Sequence, residues 1–599
     1  MPSPFELSPV STIVLPGLTV DLNGLIVLVG PNSSGKTSLL RDVHAVASGV
    51  ARTLLVADQI VFRPVPPLNE YLNFFKESGD IEHVHQPGQS EMYRKLGHQY
   101  GTQAGAGVQW NRPELDNHYG QFCNYVSSAH GKTILANAFL QQLGMLECSA
   151  LFIEQRLVLT QTAGAFDTHL TPAATALQAL RLNVKARKGL TEEVRKVFQR
   201  GAWLDLSGGG TLPIRVSDTD FVPSLEEMNE PEQMKRYRTI ETEGEGIRSY
   251  VAVCITLLLA QRPLCIIDEP EMCLHPPQAS ALGRFIGKYG STPTGCTLVA
   301  THSSAVLRGI LESNPQASVV RLTRSGGGFR GRHVPSATLR QATTRPFSRS
   351  EAILDGLFTE GVVLCESDGD RVVYEATLQT FPPPQPDVRF IPVGGTGGFR
   401  EPVRLYWALG VPVAVAADFD FLFKAELPQV LEELGAPHDV VAALSSRIHE
   451  LIQQVRAIKP ELSPDAAVEE LKPLLADAGN WEDLQKEASL RLKLNKLVGK
   501  LNRLSALKET GIEGAPGDLK GEAKALLEEL RKFGLFLVPR GELESWVPDL
   551  TEGISKEKKA LWATEAARKI EERGRGDNDI WDFVAGIVDY IKSRLASTA

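Results

Sequence analysis

Gly30, Gly35, Lys36 and Thr37 stand at the spacing G-x-x-x-x-G-K-T, which is suited to gripping a polyphosphate. The glycines let the backbone wrap so that several N–H groups point inward. Lys36 then reaches the β- and γ-phosphates, and the Thr37 hydroxyl can ligate Mg²⁺. Gly30-Pro31-Asn32-Ser33-Ser34-Gly35-Lys36-Thr37-Ser38 is therefore the expected cradle for ATP. A chance glycine-rich turn would lack the flanks seen here, where apolar Leu25 to Val29 read as a buried strand and Leu39-Leu40 continue into a helix.

Three later blocks supply what a bound ATP needs for hydrolysis. Gly244-Glu245-Gly246-Ile247-Arg248-Ser249 is a glycine turn opening the apolar helix Val251 to Ala260. Leu264 to Ile267 read as a buried strand ending in Asp268-Glu269, and Thr297 to Ala300 as another ending in Thr301-His302. Taken singly, a carboxylate pair or a histidine at a strand end is common. In this order they give a Mg²⁺ anchor (Asp268), a water-activating base (Glu269), a γ-phosphate sensor (His302) and a partner contact at Gly246. Leu151-Phe152-Ile153 reads as a further strand, and Glu154-Gln155-Arg156 after it would bring a polar side chain toward the nucleotide.

A second acidic set follows. Val362 to Cys365 read as a strand delivering Glu366, with Asp370 four residues on. Phe390 to Val393 run into the glycine turn Gly394 to Gly398, and Val411 to Ala417 end in Asp418-Phe419-Asp420. Alternate residues of a strand share a face, so Asp418 and Asp420 are expected to point the same way. Three strand ends thus converge on acids or glycines at the carboxyl edge, where α/β sheets put their sites. Acids capping helices at loop edges are the alternative.

The elements that must position these residues are those of a large chain. With 599 residues, two or more domains are expected. A net charge of −9 argues against a uniformly basic nucleic-acid sleeve, so DNA contact would come from a local patch. The seven cysteines form no C-x-x-C pair and several lie in apolar runs, as in a reduced cytoplasm. No basic-then-apolar leader opens the chain, and the longest apolar run, Val251 to Ala260, is too short for a bilayer.

From Phe62 to Lys132 the pattern dissolves. His83-x-His85 there invites a metal reading, but no Cys or carboxylate at ligand spacing accompanies it, and an inserted surface subdomain at about 62–150 accounts for it better. Thr171 to Arg200 have the spacing of an amphipathic helical arm. Residues 424–531 interrupt the second unit with helices. Leu490, Leu494, Leu497, Leu501 and Leu504 there form a pairing seam. Lys493, Lys496, Lys500 and Arg503 on the same helix are either a solvated face or a phosphate rail. Leu535 to Val538 then re-enter the sheet and lead to Gly541-Glu542-Leu543-Glu544-Ser545-Trp546.

Over roughly residues 10–325 the chain resembles ABC-type ATPase heads, in the branch carrying E-x-x-L-H-P after the D-E, here Glu271 to Pro276. The signature L-S-G-G-Q is replaced by Glu243-Gly244-Glu245-Gly246. The acidic unit resembles the Toprim fold of topoisomerases, primases and related nucleases, whose E-G-x-x-(D/E) and D-x-D bind divalent metal. Glu366, Asp370, Asp418 and Asp420 match those acids, with Ser367 in place of the usual glycine. Carboxylate oxygens suit Mg²⁺ or Mn²⁺. The two units in this order, with G-E-L-E-x-W, resemble the overcoming-lysogenization-defect (OLD) nucleases, which fuse an ABC ATPase to a C-terminal Toprim nuclease.

That resemblance implies an α/β chain: an ABC-type P-loop ATPase head at 1–350, then a Toprim (Rossmann-like) domain at 356–599 with a helical insertion. It implies that Glu544, with Glu542, completes a two-metal site and that Lys558 or Lys556 steadies the phosphate. The expected activity is ATP-controlled, metal-dependent cleavage of DNA, in defence against phage. Homodimers or higher assemblies, and a partner protein encoded nearby, are expected with it. A topoisomerase or primase, and a non-nucleolytic ATP-driven DNA clamp or switch, are the rival readings. No region resembles the DNA-gate domain with a nucleophilic tyrosine that a topoisomerase requires.

Overall fold

The computed structural model describes residues 7–78, 80–84, 90–95, 109–127, 131–168, 173–224, 226–259, 262–291, 295–325, 327–334, 354–457, 464–476, 507, 511–515, 517–546, 559–576 and 579–597. The leucine seam and basic stripe between 490 and 504, and the lysines expected at Lys556 and Lys558, lie outside them. The chain divides into two compact units, Met1–Phe358 and Thr359–Thr598.

The first unit is built on a six-stranded sheet. In spatial order its strands are Cys148–Leu151, Leu264–Asp268, Cys296–Ala300, Gly24–Val29, Ser318–Ser325 and Gly328–Val334. All neighbours pair in parallel except the last two, which form an antiparallel hairpin. The three strands that matter most are apolar runs buried almost throughout, as expected where both faces of a parallel sheet are covered. Their common direction brings the phosphate loop, Asp268-Glu269 and Thr301-His302 to one edge.

Two helices hold two of those strand ends in place. Pro276–Tyr289 follows the Asp268 strand and Ser304–Ser313 follows the His302 strand, and they pack against each other. The approach is so close that a Cβ on Gly283 would lie 2.3 Å from the Val306 carbonyl oxygen, and one on Gly309 2.2 Å from that of Ser280. Neither position has room for a side chain.

The second unit contains a four-stranded, wholly parallel sheet, in the order Val388–Pro392, Gly361–Cys365, Val413–Ala417, Leu535–Leu537. Helices Asp368–Gln379, Lys559–Arg573 and Asp579–Ser597 share a core with it, centred on Tyr374, Trp562, Trp581 and Phe583. Between the last two strands lie the helices Leu427–Glu433, His438–Ala457, Pro464–Ala476 and Gly517–Lys532. Arg447 ties the second of these to the fourth through Glu522 (2.8 Å) and Glu529 (2.7 Å).

Several boundaries differ from the sequence reading. The apolar helix starts at Glu245 rather than Val251, which puts Gly246 inside its first turn. The arm expected over 171–200 contains two helices, Ala176–Leu182 and Val184–Phe198, broken at Asn183, whose side chain accepts from the Ala186 N–H (2.9 Å). The patternless stretch after Phe62 holds short elements, including the antiparallel sheet Ile81–Val84, Met92–Lys95, Gln109–Asn111. No helix among the described residues is long and apolar enough to cross a membrane.

The glycine crossing yields a stability test. Gly283→Ala should lower the free energy of unfolding of the first unit by about 1–3 kcal/mol through overpacking, read as a lower denaturant midpoint. An unchanged midpoint would mean the two helices can separate freely.

Candidate functional site

The phosphate loop is shaped by backbone that a side chain would obstruct. Gly30 has φ 140°, and a Cβ there would lie 2.1 Å from the Leu322 carbonyl oxygen. Gly35 (φ 91°) precedes the helix Lys36–Ala47, whose first turn has no side-chain cap, so its N–H groups are available to an anion. Lys36 is buried, and its ammonium donates to the carbonyls of Gly30 (2.7 Å) and Pro31 (2.9 Å) and to Ser34 Oγ (3.3 Å). Burial lowers its pKa to about 8, against the opposing pull of Glu269, Glu271 and Asp268. Asn32 and Ser33 are exposed on the loop, Ser34 is buried, and Ser38 lies in the first helical turn. Thr37 Oγ1 donates to Asp268 Oδ1 (3.1 Å), so the two residues expected to share Mg²⁺ already meet.

Glu269 adopts φ 46°, a left-handed conformation that a residue with a Cβ enters only under constraint. Its N–H donates to the Ala300 carbonyl (2.8 Å), and its Oε1 lies 3.2 Å from His302 Nε2. That histidine contact holds the Glu269 carboxyl below its ordinary range, while burial raises that of Asp268. Glu271, which had no role from sequence, and Arg156, from the block expected near the nucleotide, fix this pair. Glu271 Oε1 accepts from Thr301 Oγ1 (2.9 Å) and from the His302 N–H (2.6 Å), anchoring the strand tip that carries the imidazole. Arg156 is buried against the carbonyls of Asp268 and Glu269. Its neighbour Glu154 turns outward to Arg41 (3.3 Å).

Gly246 has a packing role beside the partner contact expected of it. A Cβ there would lie 2.4 Å from the Cys273 carbonyl oxygen, so the glycine is required by packing within its own head. Gly244 and Glu245 are exposed at the helix start.

In the second unit the acids gather where three parallel strands end. Glu366, Asp418 and Asp420 each offer a carboxylate oxygen, and these atoms lie within 4.8 Å of one another. Glu366 Oε1 accepts from the Asp418 N–H (3.0 Å). The reason that Asp418 and Asp420 meet is not the one read from the sequence. Their strand stops at Ala417, and the 3₁₀ turn Phe419–Phe423 carries Asp420 round. The Phe419 N–H donates to the Gly541 carbonyl (2.9 Å), linking this end to the one that bears Glu542 and Glu544. Behind Glu366, the Gly395 N–H donates to its carbonyl (2.9 Å).

Asp370 completes a capping box with Ser367, its N–H donating to Ser367 Oγ (3.3 Å) and its Oδ2 accepting from the Ser367 N–H (2.8 Å). Capping and proximity to the cluster are thus combined in one side chain. Buried Glu544 pairs with Lys559 Nζ at 3.1 Å. Lys559 is adjacent in sequence to the expected Lys558, and Lys424 stands 3.3 Å from Asp420. Burial, followed by the charges of Glu366, Asp370, Glu542 and Glu544, pushes the Asp418 carboxyl up to about 8. A crowded, all-oxygen donor set of this kind fits a hard divalent cation. Among the described residues no other trio of His, Cys, Asp or Glu is so disposed, and His83 packs against the ring of Tyr93.

Comparisons with known proteins agree with this division. The family model described as "Overcoming lysogenization defect protein-like, TOPRIM domain" matches residues 357–420, and that described as "AAA domain, putative AbiEii toxin, Type IV TA system" matches 210–308. Protein ea59 of Escherichia phage lambda is 28% identical over 82 residues, a stretch that spans 14% of this chain and 16% of that relative. Among solved structures, an SmcHead bound to the C-winged helix domain of ScpA aligns with TM-score 0.32 and 11% identity, covering 55% of this chain and 99% of its own. The SMC head domain from Thermotoga maritima aligns with TM-score 0.25 and 11% identity, over 54% of this chain and 97% of its own. The chain thus carries an AAA-type ATPase domain followed by an OLD-like Toprim domain, the order of an OLD-family ATPase–Toprim fusion.

Proposed function

We propose that the chain is an ATP-controlled, divalent-metal-dependent endonuclease that cuts DNA, acting in bacterial defence against phage. The observation that carries this reading is the meeting of Glu366, Asp418 and Asp420 at a sheet edge with Glu544, Glu542 and Asp370 close enough to raise the Asp418 pKa. Glu366, Asp418 and Asp420 would hold one Mg²⁺ or Mn²⁺, and Glu544 with Glu542 and Asp370 a second. When bound, such a pair supplies an activated water and stabilises the leaving oxygen of a phosphodiester displacement. Lys559 offsets the negative charge around Glu544 and would supply a cation for a DNA phosphate.

In the ATPase domain, Lys36 and the first N–H groups of its helix would hold the phosphates, with Thr37 and Asp268 on Mg²⁺. Glu269 would take the proton of the attacking water, and His302 would keep that carboxylate aligned. The exposed Gly244-Glu245 helix start leaves N–H groups for the γ-phosphate of a second copy, which supports a homodimer with two shared nucleotides.

Three outcomes are expected. Asp418→Ala and Asp420→Ala should each reduce Mn²⁺-dependent nicking of a supercoiled plasmid by at least about 100-fold while ATP hydrolysis stays within about twofold, and chelator should stop the wild type. Full nicking by the double variant would refute the metal site. Glu269→Gln should bind ATP but turn it over about 10²–10⁴-fold more slowly, and in ATP its mass in solution should be that of at least a dimer. A monomer under those conditions would refute the shared-nucleotide arrangement.

The third outcome follows from Lys36. Its ammonium is the phosphate-binding form, and in the free protein it loses its proton near pH 8. Affinity for a fluorescent ATP analogue should therefore be level up to about pH 7 and fall as pH rises through about 8, with the fall abolished in Lys36→Arg. A flat wild-type profile would mean that Lys36 stays charged throughout.

A further inference from the structure

Asp268 and Glu269 end a buried strand with two successive carbonyls, and neither belongs to a helix. Arg156 answers both. It closes the four-residue helix Ile153–Arg156, directly after the strand that pairs with Leu264–Asp268. Arg156 is only 2% exposed. Nη2 donates to the Asp268 carbonyl (2.8 Å), and Nη1 donates both to the Glu269 carbonyl (2.8 Å) and to Ser249 Oγ (3.0 Å). Ser249 lies on the helix Glu245–Leu259, one turn after the exposed Gly244-Glu245 start.

We propose that Arg156 is a positioning residue for ATP hydrolysis, holding Glu269 in its strained conformation and linking it through Ser249 to the helix that meets a second copy of this chain. The proposal rests on the ATPase and dimer readings above and adds to them the route by which association reaches the base. Glu269 at φ 46° is held by its N–H on Ala300 on one side and on the other by its carbonyl, which accepts from Arg156 Nη1 (2.8 Å) and from the Met272 N–H (3.2 Å). Without Arg156 that carbonyl keeps only the longer Met272 contact, and the backbone can relax and move the carboxylate away from His302. Only a planar fork spans two carbonyls and a hydroxyl at once, and a lysine at 156 offers a single point of contact. A push on the first turn of the Glu245 helix moves Ser249, and with it the guanidinium and both carbonyls.

The test compares wild type, Arg156→Lys, Arg156→Ala and Ser249→Ala as full chains, with rates expressed per bound nucleotide from titration with a fluorescent ATP analogue. Arg156→Lys should lose about 100-fold in kcat with KM for ATP within about threefold, and millimolar guanidinium should restore at least about tenfold to Arg156→Ala. In wild type, turnover per head should rise with protein concentration as copies meet. In Ser249→Ala the ratio of high- to low-concentration turnover should collapse toward one. Wild-type kcat per bound nucleotide in Arg156→Lys, as a purely structural arginine would give, overturns the positioning role. A preserved concentration ratio in Ser249→Ala overturns the link. Normal turnover in Glu269→Gln would instead overturn the assignment of Glu269 as the base, on which the proposal stands.

Discussion

Like charges crowded at the end of a parallel sheet are the constraint around which the second unit is organised. Glu366 and Asp418 meet because their strands run in the same direction and stop at the same edge, and the 3₁₀ turn after Asp418 brings Asp420 to them. The cost appears in Asp418, which burial and its acidic neighbours push up to about 8. The surroundings relieve part of it. The helix that begins at Asp368 turns its positive end toward the cluster, Lys424 stands 3.3 Å from Asp420, and Lys559 stands 3.1 Å from Glu544. What they leave uncompensated is what a divalent cation would supply.

The first unit uses the same edge with both signs of charge. Lys36 is buried among carbonyls and within reach of the charges of Glu269, Glu271 and Asp268, so phosphate can enter without importing a new counter-charge. Precision comes from the supports. Glu271 fixes the His302 backbone, Arg156 fixes that of Asp268 and Glu269, and the glycine crossing of the two following helices sets the distance between those tips. A site assembled from separate strand ends depends on such supports, because each strand alone leaves its tip free to move.

Much of this was legible because the chemistry-bearing residues sit at the ends of apolar runs, where strand direction alone brings them together. The phosphate loop, Asp268-Glu269, His302, Glu366 and the Asp418–Asp420 pair were all read in that way. The details that escaped depend on contacts distant in sequence. Arg156 reaches carbonyls 112 and 113 residues away; the strand before Glu154-Gln155-Arg156 predicts a polar side chain near the nucleotide, but not which one or what it holds. Lys559, which pairs with Glu544, has no motif of its own in the sequence, and the neighbouring Lys558 expected there lies outside the described residues. Asp418 and Asp420 meet through a 3₁₀ turn that strand periodicity does not foresee. The stretch after Phe62 had no readable period because its strands are only three or four residues long.

The central claim is that the acids at the second sheet edge form a metal centre, and direct binding tests it without reference to any substrate. Calorimetric titration of the nucleotide-free chain with Mn²⁺ should give saturable binding of about two ions per chain, reduced in Glu366→Ala and in Asp418→Ala and unaffected by Lys36→Ala. Identical isotherms for wild type and the two acid variants would contradict the account.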